Sequence, residues 1–150
     1  MKKCRICGKM KPIEDFNYWN KSKGSRMSIC KECEHEKSRQ TRDTKKQIIT
    51  DLKDVGCAVC GERDPICLDF HHYDPTEKSF NMSAAVMKTL PDMLNEASKC
   101  VVVCANCHRK IHAGVLNIQD YVSEHEYEYR RKLIQNLIRA YKDNGIVVTT

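Results

Sequence analysis

Eight of the ten cysteines fall into four Cys-x-x-Cys pairs: Cys4/Cys7, Cys30/Cys33, Cys57/Cys60 and Cys104/Cys107. Two thiolates at this spacing grip one side of a tetrahedral ion, and a second pair completes the shell. The natural assignment puts Cys4, Cys7, Cys30 and Cys33 on one Zn²⁺ and Cys57, Cys60, Cys104 and Cys107 on another. Four thiolates leave no open position, so both sites are expected to be structural. Redox chemistry from Cys-x-x-Cys needs a thioredoxin-like βαβ setting, which the chain lacks. Cys67 and Cys100 are left over in predicted strands, where a buried, unliganded thiol is the ordinary expectation.

The second group is histidine. His71-His72 ends a short apolar run, and His108 and His112 follow the last cysteine pair. Residues four apart share a helix face, so His108 and His112 can face one cation. A zinc protease is excluded, because Arg109 stands where His-Glu-x-x-His needs its Glu. A nucleobase deaminase is disfavoured, since no His-x-Glu occurs with a Pro-Cys-x-x-Cys partner. Asp69 and Asp74 flank the histidines. They either orient imidazoles as hydrogen-bond acceptors or serve as ordinary strand and turn residues.

The elements that must position these groups follow from pattern. Residues 1–33 read as a zinc ribbon with two cysteine knuckles on short hairpins, and Phe16, Tyr18 and Trp19 lie between them. At least two of these aromatics are expected in the ribbon core, with any remainder free to stack on a ligand. Residues 34–56 read as a mostly polar linker helix stopped by Gly56, packing through Ile48, Ile49, Leu52 and Val55. In residues 57–114 the expected order is strand (66–70), loop, strand (100–103) and helix (from 105), with a helical turn or two over 82–98 broken near Pro91. Residues 115–150 form a tail whose 123–143 segment is helical, with Leu133, Ile134, Leu137, Ile138 and Tyr141 on one stripe and Asn144-Gly145 as its stop. That stripe packs on the second module or forms the seam of a homodimer.

Net charge is +6, unevenly spread: residues 1–50 carry 14 Lys/Arg against 6 Asp/Glu, and residues 51–150 carry 12 against 14. Each four-thiolate zinc site adds about −2. The N-terminal third is therefore the expected phosphate-binding surface, with Lys9, Lys11, Lys23, Arg26 and Lys45 among its candidate contacts. No apolar run is long enough to cross a membrane, and the start MKKCRICGKMK lacks the apolar stretch of a signal peptide. Reduced, metal-binding cysteines accord with a cytoplasmic location.

The segments LDFHHYDPTEKSF (68–80) and KCVVVCANCHRKIHAG (99–114) resemble the HNH endonuclease family, particularly its phage and prophage members, in which two Cys-x-x-Cys pairs clamp the nuclease motif. KKCRICGKMKPIEDF and ICKECEHEKSR resemble the zinc ribbon often fused ahead of such domains, so the resemblance covers roughly residues 2–114. It implies a small, zinc-stabilised α+β fold: a β-β-α metal nuclease domain preceded by a Cys4 ribbon and followed by a C-terminal helix. It further implies His71 as ligand of a divalent ion, His72 as general base, and His108 with His112 as further ligands. The family's middle Asn usually lies nine residues before the helix histidine, where this chain has Lys99. Asn106 either fills that role or caps the helix, and Lys99 could contact phosphate.

The expected activity is metal-dependent hydrolysis of DNA phosphodiester bonds to 5′-phosphate and 3′-hydroxyl ends, by nicking or double-strand cleavage, in a bacterial or phage-infected cell. Mg²⁺, Mn²⁺, Ni²⁺ or Zn²⁺ would suit the histidine site. The competing expectation is a non-catalytic zinc-ribbon DNA-binding or adaptor protein with a degenerate nuclease fold.

Overall fold

A computed structural model describes residues 1–143, and the expected helix stop at Asn144-Gly145 lies outside them. The chain divides into two compact units between Asp43 and Thr44.

In the first unit, β1 (Lys2–Lys3) pairs antiparallel with β2 (Met10–Lys11) around the Cys4/Cys7 knuckle. The knuckle turns at Gly8, whose φ of +70° only glycine adopts without strain. A second hairpin joins β3 (Tyr18–Asn20) to β4 (Ser25–Arg26). The core of the unit is small: Cys4, Phe16 and Cys30 are fully buried, with Ile29 and Cys33 against them. Of the three aromatics only Phe16 enters that core, while Tyr18 and Trp19 are exposed. The expectation that two would be buried fails because the ribbon has room for one ring beside its cysteines. Helix α1 (Lys31–Leu52) starts inside the second knuckle, three residues earlier than the sequence pattern suggested, and crosses the division between the units.

In the second unit, β5 (Leu68–His72) and β6 (Cys100–Cys104) pair antiparallel in unbroken register, from Leu68 opposite Cys104 to His72 opposite Cys100. The strand begins later than expected because Asp64 accepts a hydrogen bond from the Ile66 amide (3.0 Å) and sets residues Pro65–Cys67 in a 3-10 turn. Cys67 is consequently exposed and Cys100 half-buried, so neither is the buried strand thiol that its pattern suggested.

The β5–β6 connection carries a 3-10 segment (Met82–Met87) and α2 (Leu90–Ala97). Pro91 starts α2 rather than breaking it: Thr89 caps the helix by accepting from the Asp92 amide, and proline is well placed in a first turn. Helix α3 (Ala105–His112) leaves β6 directly, and α4 (Glu124–Asp143) closes the described chain.

Two cores result. One lies under β5–β6 and α3, with Leu68, Val101, Val103, Ile118, Val122 and Tyr127 buried. The other gathers Ala85, Leu90, Met93 and Leu94, against which Ile48, Ile49, Leu52, Ile134 and Ile138 pack. Val55 is exposed, as are Leu133 and Leu137 on α4, so only part of each expected stripe is used. No helix among the described residues is long and apolar enough to cross a membrane. The protein is thus a small α+β chain of short antiparallel sheets, helices and cysteine clusters.

Candidate metal centres

Cys4, Cys7, Cys30 and Cys33 bring their sulfurs within 4.8 Å of one another, and so do Cys57, Cys60, Cys104 and Cys107. Both sets join residues far apart in sequence in the combination expected. Cys60 Sγ and Cys104 Sγ are 3.6 Å apart. A disulfide would need about 2.05 Å, whereas the edge of a zinc–thiolate tetrahedron with 2.3 Å bonds is about 3.8 Å.

The backbone prepares the sulfurs for charge. The Cys30 amide donates to Cys4 Sγ at 3.4 Å and is the main reason that thiol is lowered to about 6. Cys33 is pushed up to about 12, chiefly through its hydrogen bond to Cys30. In the second set burial opposes the Cys57 thiolate, but the amides of Cys60 and Cys104 outweigh it and bring the group to about 7. Four clustered thiols cannot all ionise unaided, so each donor set fits a dication. Two tetra-cysteine clusters able to hold structural metal ions such as zinc are therefore built into the chain.

The third set is histidine. Ring nitrogens of His71, His108 and His112 lie within 4.8 Å of one another. His71 comes from β5, and the other two from α3, one turn apart. Helix α3 is started by the second cysteine cluster itself, since Cys104 caps it by accepting from the Cys107 amide at 3.4 Å.

Asp69, two residues before His71 on the same strand face, places Oδ2 3.2 Å from His108 Nδ1. A carboxylate there holds the proton on Nδ1 and leaves the Nε2 lone pair free. That Nε2 stands 3.1 Å from His112 Nε2, near the ~3.3 Å spacing of two imidazole nitrogens on one tetrahedral Zn²⁺. His71 is buried and lowered to about 4, first by burial and then by His108, His112 and His72. It is neutral at pH 7, the form that ligates metal. His112 is exposed, so the set is closed at the strand and open at the helix. The donors fit a divalent cation with positions left over. Asp74 plays no part: it accepts from the Thr76 amide (2.8 Å) and hydroxyl (2.7 Å) and is a turn residue.

His72 is not gathered with the other three. Its neighbour His71 takes one strand face and it takes the other, where His72 Nε2 lies 2.9 Å from Glu96 Oε1. Glu96 is 1% exposed and also accepts from the amides of Ser79 (2.8 Å) and Phe80 (3.1 Å) and from Lys99 Nζ (2.8 Å). Burial works against its charge, but Lys99, the Phe80 amide, His72 and the Ser79 amide prevail and lower its pKa to about 2. An ionised Glu96 only accepts, so His72 donates from Nε2.

Lys99 is buried, with its three donors directed to Glu96, the Glu77 carbonyl (3.0 Å) and Ser79 Oγ (2.7 Å). It therefore ties down the 77–79 loop, with its three donors engaged within the fold rather than presented to solvent. Asn106 is exposed in the first turn of α3, and the cap it was a candidate for is Cys104. Glu96 was missed from sequence. The available signal was an acid three residues before Lys99, with Met93, Leu94 and Ala97 close by.

The basic candidates divide similarly. Lys9 and Lys23 are exposed. Lys11 pairs with Glu32, which holds its pKa above the usual lysine range. Arg26 donates to the Phe16 carbonyl (2.8 Å) and lies 3.6 Å over the Tyr18 ring. Lys45 is buried and donates to the Lys88 carbonyl (2.6 Å), so it is withdrawn from the phosphate-binding set. No protein-family model, curated protein or solved structure matches the chain.

Proposed function

We propose that the protein is a metal-dependent endonuclease of the HNH, β-β-α metal type, hydrolysing phosphodiester bonds of DNA. The observation that carries this reading is the convergence of His71, His108 and His112 where a two-stranded antiparallel sheet meets the helix that follows it, clamped by a tetra-cysteine cluster.

In this reading His71, His108 and His112 hold a divalent cation, with Mg²⁺, Mn²⁺, Ni²⁺ and Zn²⁺ as candidates. When bound, it supplies positive charge beside the phosphoryl group and the departing oxygen. Asp69 fixes the His108 ring so that Nε2 faces that position. His72 is the general base, taking a proton from water at Nδ1 while Glu96 holds the opposite nitrogen. A carboxylate behind an imidazole also stabilises the imidazolium that forms. The exposed lysines of the ribbon hold the phosphate backbone. Plasmid nicking by zinc-loaded protein with each added cation is the test. Cleavage that disappears in His108→Ala supports the reading, and absence of cleavage with every cation rejects it.

A second reading is favoured by one observation: the His72 side chain is only 10% exposed and one of its nitrogens is committed to Glu96. In that reading the chain is a non-catalytic zinc-ribbon DNA-binding or adaptor protein, and the same assay separates the two.

A further inference from the structure

Trp19 is the chain's only tryptophan, and 79% of its surface is open to solvent. The ribbon does not use it for stability, because Phe16 alone fills the aromatic place in that core. The hairpin that presents it is well fixed. Asn20 Oδ1 accepts from Ser22 Oγ (2.8 Å) and from the Lys23 amide (3.0 Å), and Gly24, at φ +64°, closes the turn. Tyr18, the adjacent aromatic, is already covered by Arg26 at 3.6 Å. One indole is thus held out beside a hydrogen-bonded turn, and among the described residues no ring or guanidinium lies over its face.

The charge around it has one sign. Between Asp15 and Glu32 there is no carboxylate, while Lys21, Lys23, Arg26 and Lys31 all fall there. Lys21 and Lys23, in the turn that follows Trp19, are exposed. A flat π-face beside two free ammonium groups is complementary to a nucleobase and the phosphates on either side of it. A base offers its face only when it is out of the duplex stack.

We infer that the β3–β4 hairpin is a single-strand DNA binding site, in which an unpaired base stacks on Trp19 and Lys21 and Lys23 contact the flanking phosphates. This shares with the nuclease reading only that the ligand is DNA. Binding that occurs without any cleavage would remove the catalytic claim and leave this one intact.

The single tryptophan makes the test direct. Full-length, zinc-loaded protein is titrated with an oligothymidylate, with a hairpin-closed duplex of equal length, and with phosphatidylserine vesicles, while the indole emission is read. Quenching by the single strand, little by the duplex and no blue shift with vesicles is expected. Trp19→Ala should weaken oligothymidylate binding roughly 5- to 150-fold, the range that stacking of one base is worth, and Trp19→Phe should keep most of the affinity. Zinc content is measured on both variants. Should Trp19→Ala fail to fold, the quenching of the native protein decides alone. Equal quenching by duplex, a blue shift with vesicles in place of quenching by the single strand, no quenching at all, or unchanged affinity in folded Trp19→Ala would each overturn the proposal.

Discussion

His71 and His72 are neighbours on one strand and are nearly equally buried, yet the two faces of β5 treat them in opposite ways. On the His71 face the ring meets two other imidazoles, at separations of 5.2 Å to both His108 and His112, and the Asp69 carboxylate sits behind His108. Those three imidazoles form a donor set that could take a cation. On the His72 face the protein has supplied its own charges, Glu96 and Lys99, and satisfied both. No buried side-chain polar atom among the described residues lacks a hydrogen-bond partner. One face thus gathers donors that could hold a cation, while the other is a finished hydrogen-bond network. Period-two alternation alone separates them, so two adjacent histidines cannot be assumed to share a site.

The largest effect should come from metal that neither face touches. With both tetra-cysteine clusters filled, purified protein should hold two zincs per chain by elemental analysis. Stripping them should unfold both units, since structural zinc in small domains is worth about 10–16 kcal/mol of apparent folding free energy. A protein that keeps its far-ultraviolet circular dichroism after zinc is removed would show that the clusters are not what holds α3 in place.

Next in size are the catalytic losses, in which the faces should separate. His72→Ala should lower cleavage by about 10²–10⁴-fold without changing cation affinity, as expected for a base. His108→Ala should abolish cleavage through lost cation binding. Should His72→Ala cut at the wild-type rate, the finished face is structural and the base lies elsewhere.

Glu96→Gln tests the same face through stability. It leaves Lys99 buried without its counter-ion, and breaking such a pair typically costs about 3–5 kcal/mol. The effect has a pH signature. The folded pKa of Glu96, about 2, lies below its ordinary 4.5, so its ionisation stabilises the fold above pH 4.5 and that contribution is lost as pH falls toward 2. The difference in melting temperature between wild type and Glu96→Gln should therefore shrink steadily below pH 4.5. A difference that stays constant across that range would mean the carboxylate is not ionised in the fold.

These distinctions were unequally legible beforehand. Cysteine spacing carried the two tetrahedral sets, because Cys-x-x-Cys states its geometry locally. The order strand, strand, helix and the placing of His108 and His112 on one face followed from local patterns, whereas the pairing of β5 with β6 did not. What spacing could not convey was the partner set of His72, which depends on α2 arriving from 24 residues away in sequence. The fates of Lys45 and Lys99 were hidden for the same reason: a lysine reads as a solvated charge until the carbonyls that bury it are known. The ribbon aromatics differ in the other direction: an aromatic in a small module reads as core, yet of Phe16, Tyr18 and Trp19 only Phe16 is buried.

The smallest expected effect is also the cleanest probe of the open face. Asp69 touches no proposed metal position, and it acts only by holding the His108 ring from behind at 3.2 Å. Asp69→Asn keeps the shape and can still hydrogen-bond Nδ1, but it removes the charge and loosens the preference for a proton on that nitrogen. Loss of such an outer partner typically weakens a metal site by about 10–100-fold. Titrating zinc-loaded protein with Ni²⁺ or Mn²⁺ against a competing chelator should therefore show weaker binding in Asp69→Asn, with the two cysteine-held zincs retained. The matching change on the other face, Glu96→Gln, should leave that affinity where it was, provided the variant is folded at the temperature used. If both variants lose Ni²⁺ binding equally, the two faces of β5 are coupled, and His72 belongs with the proposed cation site.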